Sequence, residues 1–338
     1  MNKIADLCKE NGTDLILAVG GGSVIDSAKL LSVARHYKGD CWDLVTGKKD
    51  ISTCYSIPII TIPTIAGTGS EMDAFGIISN TETLEKVPFY CPSLFPKTSF
   101  LDPVQTYTVS RFQTACGAID ALSHYLEVYF MRPQLPVILR VMEGFMKSIV
   151  ESLPVLMDEP TNYDARANIM WAAAWALNGF TFGPTHGYPF MCHWIEDEVS
   201  AKYNITHGLG LAIILPHYLS YCLNEQSAPI YYEFGTNVLG LKRDIPPLEV
   251  GQMAIDCLQN LFFKVCGLQS RLRDCGIDNT EKFAEMARIS CRGQESIQSF
   301  VTLNEQDIIN TLETIIIYTK VYQNDVPNHV FLHNFTIN

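Results

Sequence analysis

The amino-acid sequence predicts an α/β domain followed by an all-α domain, with the boundary near Val109. Before that boundary, apolar strand patterns alternate with helix patterns, and two of the strands end in glycine-containing loops. After it, apolar residues recur at helical spacing, and no strand pattern of comparable strength interrupts them. We therefore expect an α/β domain over residues 1–109, an all-α domain over 110–318 and an atypical tail over 319–338.

Length and composition are those of a globular protein with a substantial core. The 338 residues are enough for about two domains, and 47% are hydrophobic while 18% are charged. A net charge of -12 argues against nucleic-acid binding, which needs clustered cations. No apolar run approaches the length that crosses a membrane, and the N-terminal residues do not resemble a secretory signal. With 11 cysteines and no C-x-x-C pair, we expect a cytoplasmic protein with reduced thiols.

The predicted elements of the first domain alternate between helix and strand. They are a helix over about 2–10, a strand over 15–19, a helix ending near Ala34, a strand over 56–63 and shorter strands over 75–79 and 99–101. Because Pro58 has no N–H group to donate, the paired part of the second strand is expected to begin at or after it.

The predicted elements of the second domain are all helices. Ser110 is a suitable N-cap for the first of them, whose helical period continues to about Phe130. Further helices are expected over about 137–150, 164–178, 189–203, 209–223, 248–266 and 280–291.

The first candidate site is the glycine loop between the first strand and its helix. Gly20, Gly21, Gly22 and Ser23 allow close approach of an anion to the N–H groups at a helix N-terminus. Ser23 and Asp26 also have the spacing of a capping box. The loop has neither the Rossmann fingerprint nor the Walker A pattern, and by itself it is equally consistent with a tight turn.

A second loop favours a dinucleotide. Residues 64–70 are rich in small and hydroxyl-bearing side chains, among them Thr64 and Thr68, and they follow another apolar strand. Loops at the ends of neighbouring parallel strands form a crevice with donors on both walls. Together the two loops predict a dinucleotide site.

Four residues of the helical domain form a candidate metal site. Asp120 and His124 are four residues apart on one helix, and His193 and His207 lie on later segments. Three imidazoles and a carboxylate suit Zn²⁺, Fe²⁺ or a similar ion. Spacing alone does not choose these histidines over two competitors, His186 and His217, and Asp120 with His124 could be an ordinary pair on a helix face.

Six segments of the sequence resemble the iron-containing (group III) alcohol dehydrogenases, most closely their butanol-dehydrogenase-like branch. The segments are AVGGGSVIDSAK, GDCWDL, TIAGTGSE, FLDPVQTYTVSRFQTACGAIDALSHYLEVYF, YDARANIMWAAAWALNG and SAKYNITHGLGLAIILPHYL. Their order, over residues from about 5 to 315, makes the resemblance specific.

The resemblance implies a dinucleotide-binding domain followed by a helical metal-binding domain. It implies that the metal ligands are Asp120, His124, His193 and His207, that the metal is Fe²⁺ or Zn²⁺, and that the cofactor is NAD(P)H. It further implies that the pyrophosphate loop is Gly20, Gly21, Gly22 and Ser23, and that Thr64, Thr68 and Lys86 contact the cofactor. The expected reaction interconverts small aldehydes and primary alcohols, such as butanal and butanol, in a homodimer.

Three features depart from the family pattern. Family members carry a further segment before this start, so we expect the cofactor domain to be truncated at its N-terminal side, with an exposed strand. Asp197 stands where the family has a histidine near the substrate that takes part in proton transfer, so the resemblance puts Asp197 at the catalytic position. A carboxylate is a poorer proton partner near neutrality unless burial raises its pKa. The tail over 319–338 matches no segment of the family.

Two alternatives to the alcohol dehydrogenase interpretation remain at this stage. The short cofactor domain and Asp197 are consistent with a metal-binding relative of impaired activity. A polyol dehydrogenase, or a dehydroquinate-synthase-like member of the wider superfamily, is the other alternative.

Overall fold

The first part of the chain forms a small parallel sheet flanked by helices, and the alternating pattern predicted this class of fold. A computed structural model describes residues 1–131, 135–181 and 190–317 of the chain. The strands of this part are β1 (Ile16–Gly20), β2 (Ile59–Pro63), β3 (Phe75–Asn80), β4 (Glu85–Tyr90) and β5 (Thr98–Ser99). The helices are α1 (Asn2–Glu10), α2 (Gly22–Ala34) and α3 (Cys41–Val45).

The sheet aligns the ends of its first two strands. Its order is β1-β2-β5, all parallel, with Ile16 beside Ile59 and Gly20 beside Pro63. Strand β2 begins directly after Pro58, as predicted, and the Pro58 carbonyl accepts a hydrogen bond from the N–H of Ile16. The loops that follow β1 and β2 therefore start side by side.

Strand β1 is covered on one face only. Ala18 packs with Ile25, Ala28 and Ile59 under α2, whereas alternate residues on the other face remain between 44% and 57% exposed. The exposed residues are Leu15, Leu17 and Val19. Among the described residues β1 pairs with β2 alone, which is the exposed strand that the sequence predicted.

An antiparallel hairpin projects from this part. Strands β3 and β4 pair with Ser79 opposite Lys86. The sequence predicted β3 but not β4, because Pro88 and the charged Glu85 and Lys86 break the apolar pattern of that strand. The predicted strand over 99–101 is shorter and earlier, at Thr98–Ser99.

The second part of the chain is rich in helices, as predicted, but it also contains a short hairpin. The helices are α4 (Arg111–Phe130), α5 (Pro136–Asp158), α6 (Tyr163–Trp175), α7 (Met191–Tyr203), α8 (His207–Cys222), α9 (Ala228–Asn237), α10 (Pro247–Gln259), α11 (Phe283–Ser290) and α12 (Glu305–Ile317). A π-helical segment, Asn260–Val265, continues α10. The unpredicted hairpin pairs β6 (Ser296–Gln298) with β7 (Thr302–Asn304), and both strands are too short to show a period. The predicted tail over 319–338 lies outside the described residues.

Helix α4 is the centre of the helical part. Ser110 caps it by accepting a hydrogen bond from the N–H of Gln113, as expected. Every residue from Thr114 to Phe130 is buried, and α5 and α8 pack against the helix. A polar side chain on α4 therefore sits inside the protein and needs a partner there.

Candidate metal and cofactor site

Helix α4 brings a carboxylate and an imidazole into the protein interior. Asp120 and His124 are one helical turn apart, and each residue is only 5% exposed. Asp120 Oδ1 lies 3.6 Å from Nε2 of His124. The helical spacing that the sequence predicted therefore puts both side chains on one buried face.

Two more histidines converge on the same oxygen. His193 lies in the first turn of α7, and His207 is the first residue of α8. Their Nε2 atoms lie 3.6 Å and 3.8 Å from Asp120 Oδ1. The rings of His124 and His193 stack with centroids 4.3 Å apart. The structure thus brings together all four residues that the sequence singled out.

The spacing of these atoms fits a divalent cation. Asp120 Oδ1 and His193 Nε2 are buried and have no hydrogen-bond partner among the described residues. Buried polar atoms without partners are costly, and a cation between them would satisfy several at once. A set of one carboxylate and three imidazoles suits Fe²⁺ or Zn²⁺.

The charges at the cluster follow from burial and from the neighbouring groups. Burial lowers the pKa of His124 to about 3, so this ring is neutral near pH 7. Burial alone would raise the pKa of Asp120, but the surrounding histidines outweigh it and hold that pKa below its usual range. For His193, burial is outweighed by the carboxylates of Glu127 and Asp120, which raise its pKa to about 10. A metal that binds His193 must therefore displace a proton.

The two competing histidines do not join this cluster in the described part of the chain. His217 borders a separate cavity of about 220 Å³ with Tyr221 and Gln252, and burial lowers its pKa to about 4. His186 lies outside the described residues.

The glycine loop after β1 runs directly into α2. Helix α2 starts at Gly22 with Gly21 as its N-cap, and no side chain caps it. The capping box expected from Ser23 and Asp26 is wrong, because Asp26 accepts hydrogen bonds from Ser70 Oγ and the N–H of Ile77. The N-terminus of α2 is therefore free of a side-chain cap.

The two predicted cofactor loops touch each other and the metal cluster. The N–H of Thr64 donates to the carbonyl of Gly20 at 3.0 Å. A Cβ atom on Gly22 would lie 2.5 Å from Thr68 Cγ2, so a larger residue at this position would force Thr68 to move. A Cβ atom on Gly117 would lie 2.1 Å from the carbonyl oxygen of Ala66, one turn of α4 before Asp120. The loops and the cluster thus form one continuous site.

The buried side chain of Lys29 holds the end of the second loop in place through hydrogen bonds and an ion pair. Lys29 on α2 is fully buried and lies 2.7 Å from Asp73, with which it forms an ion pair. Its Nζ also donates to Ser70 Oγ and to the carbonyl of Phe75. This network joins α2 to the second loop and to the start of the β3–β4 hairpin.

Lys86 and Asp197 form an ion pair beside the cluster. Lys86 Nζ lies 2.6 Å from Asp197 Oδ1, 3.5 Å from Glu196 Oε2 and 3.1 Å from His207 Nδ1. Burial opposes the charge of Lys86, but the carboxylates of Glu196 and Asp197 outweigh it and raise the pKa of the lysine. The carboxylates of Glu196 and Asp197 therefore already have a cation between them.

Sequence reasoning missed two carboxylates that contact the histidines. Glu127 Oε2 hydrogen-bonds His193 Nδ1, and Glu196 Oε2 hydrogen-bonds His207 Nδ1. A signal existed for Glu127, which lies two helical turns after Asp120 on the same face of a helix with few charged residues. For Glu196 the pairing depends on how α7 packs against α8, which the sequence does not show.

Comparisons with known proteins match both parts of the chain to one family. Residues 1–103 match the family described as iron-containing alcohol dehydrogenase, and residues 114–316 match the C-terminal part of the Fe-containing alcohol dehydrogenase family. The chain is 40% identical over 294 residues to NADH-dependent butanol dehydrogenase B of Clostridium acetobutylicum, which covers 86% of this chain and 74% of that protein.

Two further relatives extend the comparison. The chain is 33% identical over 297 residues to the NADPH-dependent aldehyde reductase YqhD of Escherichia coli, covering 86% of this chain and 75% of that protein. The solved structure of NADH-dependent butanol dehydrogenase A from Thermotoga maritima matches with a TM-score of 0.84 at 32% identity, covering 93% of this chain and 79% of that one. No helix in the described residues is long and apolar enough to span a membrane.

Proposed function

The chain belongs to the iron-containing alcohol dehydrogenase family, and on that premise we propose that it transfers a hydride between NAD(P)H and a small aliphatic aldehyde. The product is the corresponding primary alcohol, as in the pair butanal and butanol. One observation carries the proposal: three imidazole nitrogens lie within 3.8 Å of Asp120 Oδ1, next to two loops suited to a dinucleotide.

Asp120, His124, His193 and His207 would hold the metal, with Fe²⁺ the first candidate and Zn²⁺ the second. When bound, the metal supplies Lewis-acid polarisation of the carbonyl group. The chain contributes one negative charge and three imidazole donors, of which those of His124 and His193 are buried. Low water access strengthens electrostatic interactions at the reacting group.

The two loops would bind the cofactor. The pyrophosphate would lie at the N-terminus of α2, against Gly20, Gly21, Gly22 and Ser23, where backbone N–H groups favour an anion. Thr64 and Thr68 would provide hydroxyl groups on the facing wall. Contact of the second loop with α4 would direct the nicotinamide toward Asp120.

Lys86 and Asp197 would act together at the edge of this site. Asp197 pairs with Lys86 at 2.6 Å, so its negative charge is already balanced. We propose that Asp197 orients the lysine toward the cofactor and that it does not deliver the proton to the product.

A second candidate is a metal-binding relative with impaired turnover. The observation that favours it is the same ion pair, because Asp197 stands where the family has a histidine and is engaged by Lys86. A polyol dehydrogenase is the alternative within enzymes, and a panel containing 1,3-propanediol and glycerol beside butanol distinguishes it.

The test is a nicotinamide absorbance assay of butanal reduction. It uses anaerobic protein loaded with Fe²⁺ or Zn²⁺, with NADH and NADPH in turn. We expect metal-dependent oxidation of one cofactor, loss of that activity in His207→Ala, and wild-type activity in His36→Ala, which removes an exposed histidine. Metal-loaded protein that oxidises neither cofactor would instead support the impaired relative.

Assembly and compartment are further parts of the proposal. We propose a cytoplasmic homodimer, and the mass of the protein in solution tests the dimer directly. Metal analysis of protein purified without oxygen tests iron against zinc.

A further inference from the structure

We propose that Glu127 and Glu196 are positioning residues that hold His193 and His207 with Nε2 turned toward the metal. This inference rests on the proposed metal site. It assigns a task to two buried carboxylates that are not themselves in the set of four ligands. Both residues are buried, with Glu127 8% exposed and Glu196 0% exposed.

Glu127 uses both of its carboxylate oxygens. Oε2 hydrogen-bonds Nδ1 of His193, and Oε1 accepts the N–H of Cys192 at 2.6 Å. Helix α7 has no capping side chain of its own at this end. Glu127 therefore joins α4 to the first turn of α7, and two fixed hydrogen bonds restrain the carboxylate that orients the ring.

Glu196, one turn after His193 on α7, orients the ring of His207 in the same way. Its Oε2 hydrogen-bonds Nδ1 of His207 and lies 3.3 Å from Ser200 Oγ. Lys86 Nζ lies 3.5 Å from the same oxygen and 3.1 Å from His207 Nδ1, and its single positive charge is shared between Glu196 and Asp197. Because an ammonium group only donates, the carboxylate of Glu196 is the acceptor at Nδ1. The carboxylate is thus held between α8, α7 and the β3–β4 hairpin.

The carboxylate at Nδ1 of each histidine determines which tautomer of the imidazole ring is favoured. A neutral ring carries one N–H group, and an acceptor at Nδ1 keeps the proton there and leaves the Nε2 lone pair for a metal. For both rings, the Nε2 atom is the one that faces Asp120. His124 differs, since its Nδ1 has no hydrogen-bond partner in the described ranges.

The experiment measures metal affinity in variants of equal size. Glu127→Gln and Glu196→Gln keep the side-chain shape but replace one acceptor oxygen with a donor. The matched control is Glu143→Gln, which alters a buried carboxylate on α5 that hydrogen-bonds Tyr129 and pairs with Arg140. Zn²⁺ dissociation constants come from competition with a chelator, and the visible absorption of the Co²⁺ protein reports ligand geometry.

We expect Zn²⁺ to bind about 10–100-fold more weakly to Glu127→Gln and Glu196→Gln than to wild type. We expect a changed Co²⁺ spectrum in both, and neither change in Glu143→Gln. Wild-type affinity and spectrum, together with a lower melting temperature of the metal-free variant, would overturn the inference by showing a purely structural role. Failure of the wild-type chain to bind metal would overturn the proposed metal site, and this inference with it.

Discussion

Asp120 carries a negative charge, and one of its oxygens receives no hydrogen bond from the described residues. Its Oδ1 lies between 3.6 Å and 3.8 Å from three imidazole nitrogens, outside ordinary hydrogen-bonding distance. A buried carboxylate is costly unless it is paired or coordinates a metal. In the metal-free chain the neighbouring histidines offset this cost, and a cation would complete the site.

Lys86 is the cation nearest to both Glu196 and Asp197, so its removal should cost stability. We expect Lys86→Met to lower the free energy of unfolding by about 3 kcal/mol, because it leaves two buried carboxylates without their cation. The double variant Lys86→Met/Asp197→Leu should recover part of that loss, since it also removes one of the carboxylates. Urea unfolding of the single and double variants measures the coupling. Strictly additive effects of the two substitutions would contradict it.

Helix α2 is the element that couples the proposed pyrophosphate loop to the rest of the α/β part of the chain. Its fully buried Lys29 contacts Asp73, and its Asp26 accepts hydrogen bonds from Ser70 and Ile77. These partners lie in the second loop and in β3. A shift of α2 would therefore move both walls of the proposed cofactor site together.

Asp26 gives this network a pH dependence. Burial raises the pKa of Asp26 from 3.8 to about 6, against the opposing positive charge of Lys29 and the hydrogen bond from Ser70. Because the folded state holds the proton more tightly, the resulting stability is complete below pH 3.8 and is lost as the pH rises through about 6. We expect wild type to lose up to roughly 3 kcal/mol relative to Asp26→Asn between pH 4 and 7.

The measurement is the free energy of unfolding of wild type and variant across that pH range. Asp6→Asn, which alters an exposed aspartate on α1, is the matched control. A flat difference for Asp26→Asn would show that burial of this carboxyl does not control its protonation.

At the scale of the whole molecule, the proposed metal site would join three helices of the helical part, because its four ligands come from those helices. Asp120 and His124 lie on α4, and His193 and His207 lie on α7 and α8. A cation bound to all four would fasten the central helix to the two that carry the single histidines. Binding free energy at such a site adds to the stability of the fold.

Metal removal should therefore lower the melting temperature of the protein. At a free metal concentration 100 times the dissociation constant, binding contributes about 2.7 kcal/mol, which chelation removes. Scanning calorimetry of chelated and reloaded protein measures the effect. His207→Ala should melt at the same temperature with and without chelator; a chelator effect of wild-type size in that variant would show that the stabilising ion binds elsewhere.

Sequence patterns predicted the structural features that depend on residues close together in the sequence. The cap at Ser110, the start of β2 after Pro58 and the shared face of Asp120 and His124 all follow from local geometry. Strand β4 was not predicted because its charged residues interrupt the alternation of apolar residues that is typical of a strand. The partners of His193 and Asp197, which are Glu127 and Lys86, are remote in sequence and meet only through tertiary packing.

The exposed side of β1 affects the behaviour of concentrated solutions. Leu15, Leu17 and Val19 form an apolar row on the outside of the sheet, while the chain carries a net charge of -12. At low ionic strength, like charge keeps copies of the protein apart. Added salt shortens the range of that repulsion to about 3 Å at 1 M, and it leaves the attraction between apolar rows intact. We therefore expect self-association of this protein to rise as salt is added, which light scattering against salt concentration measures.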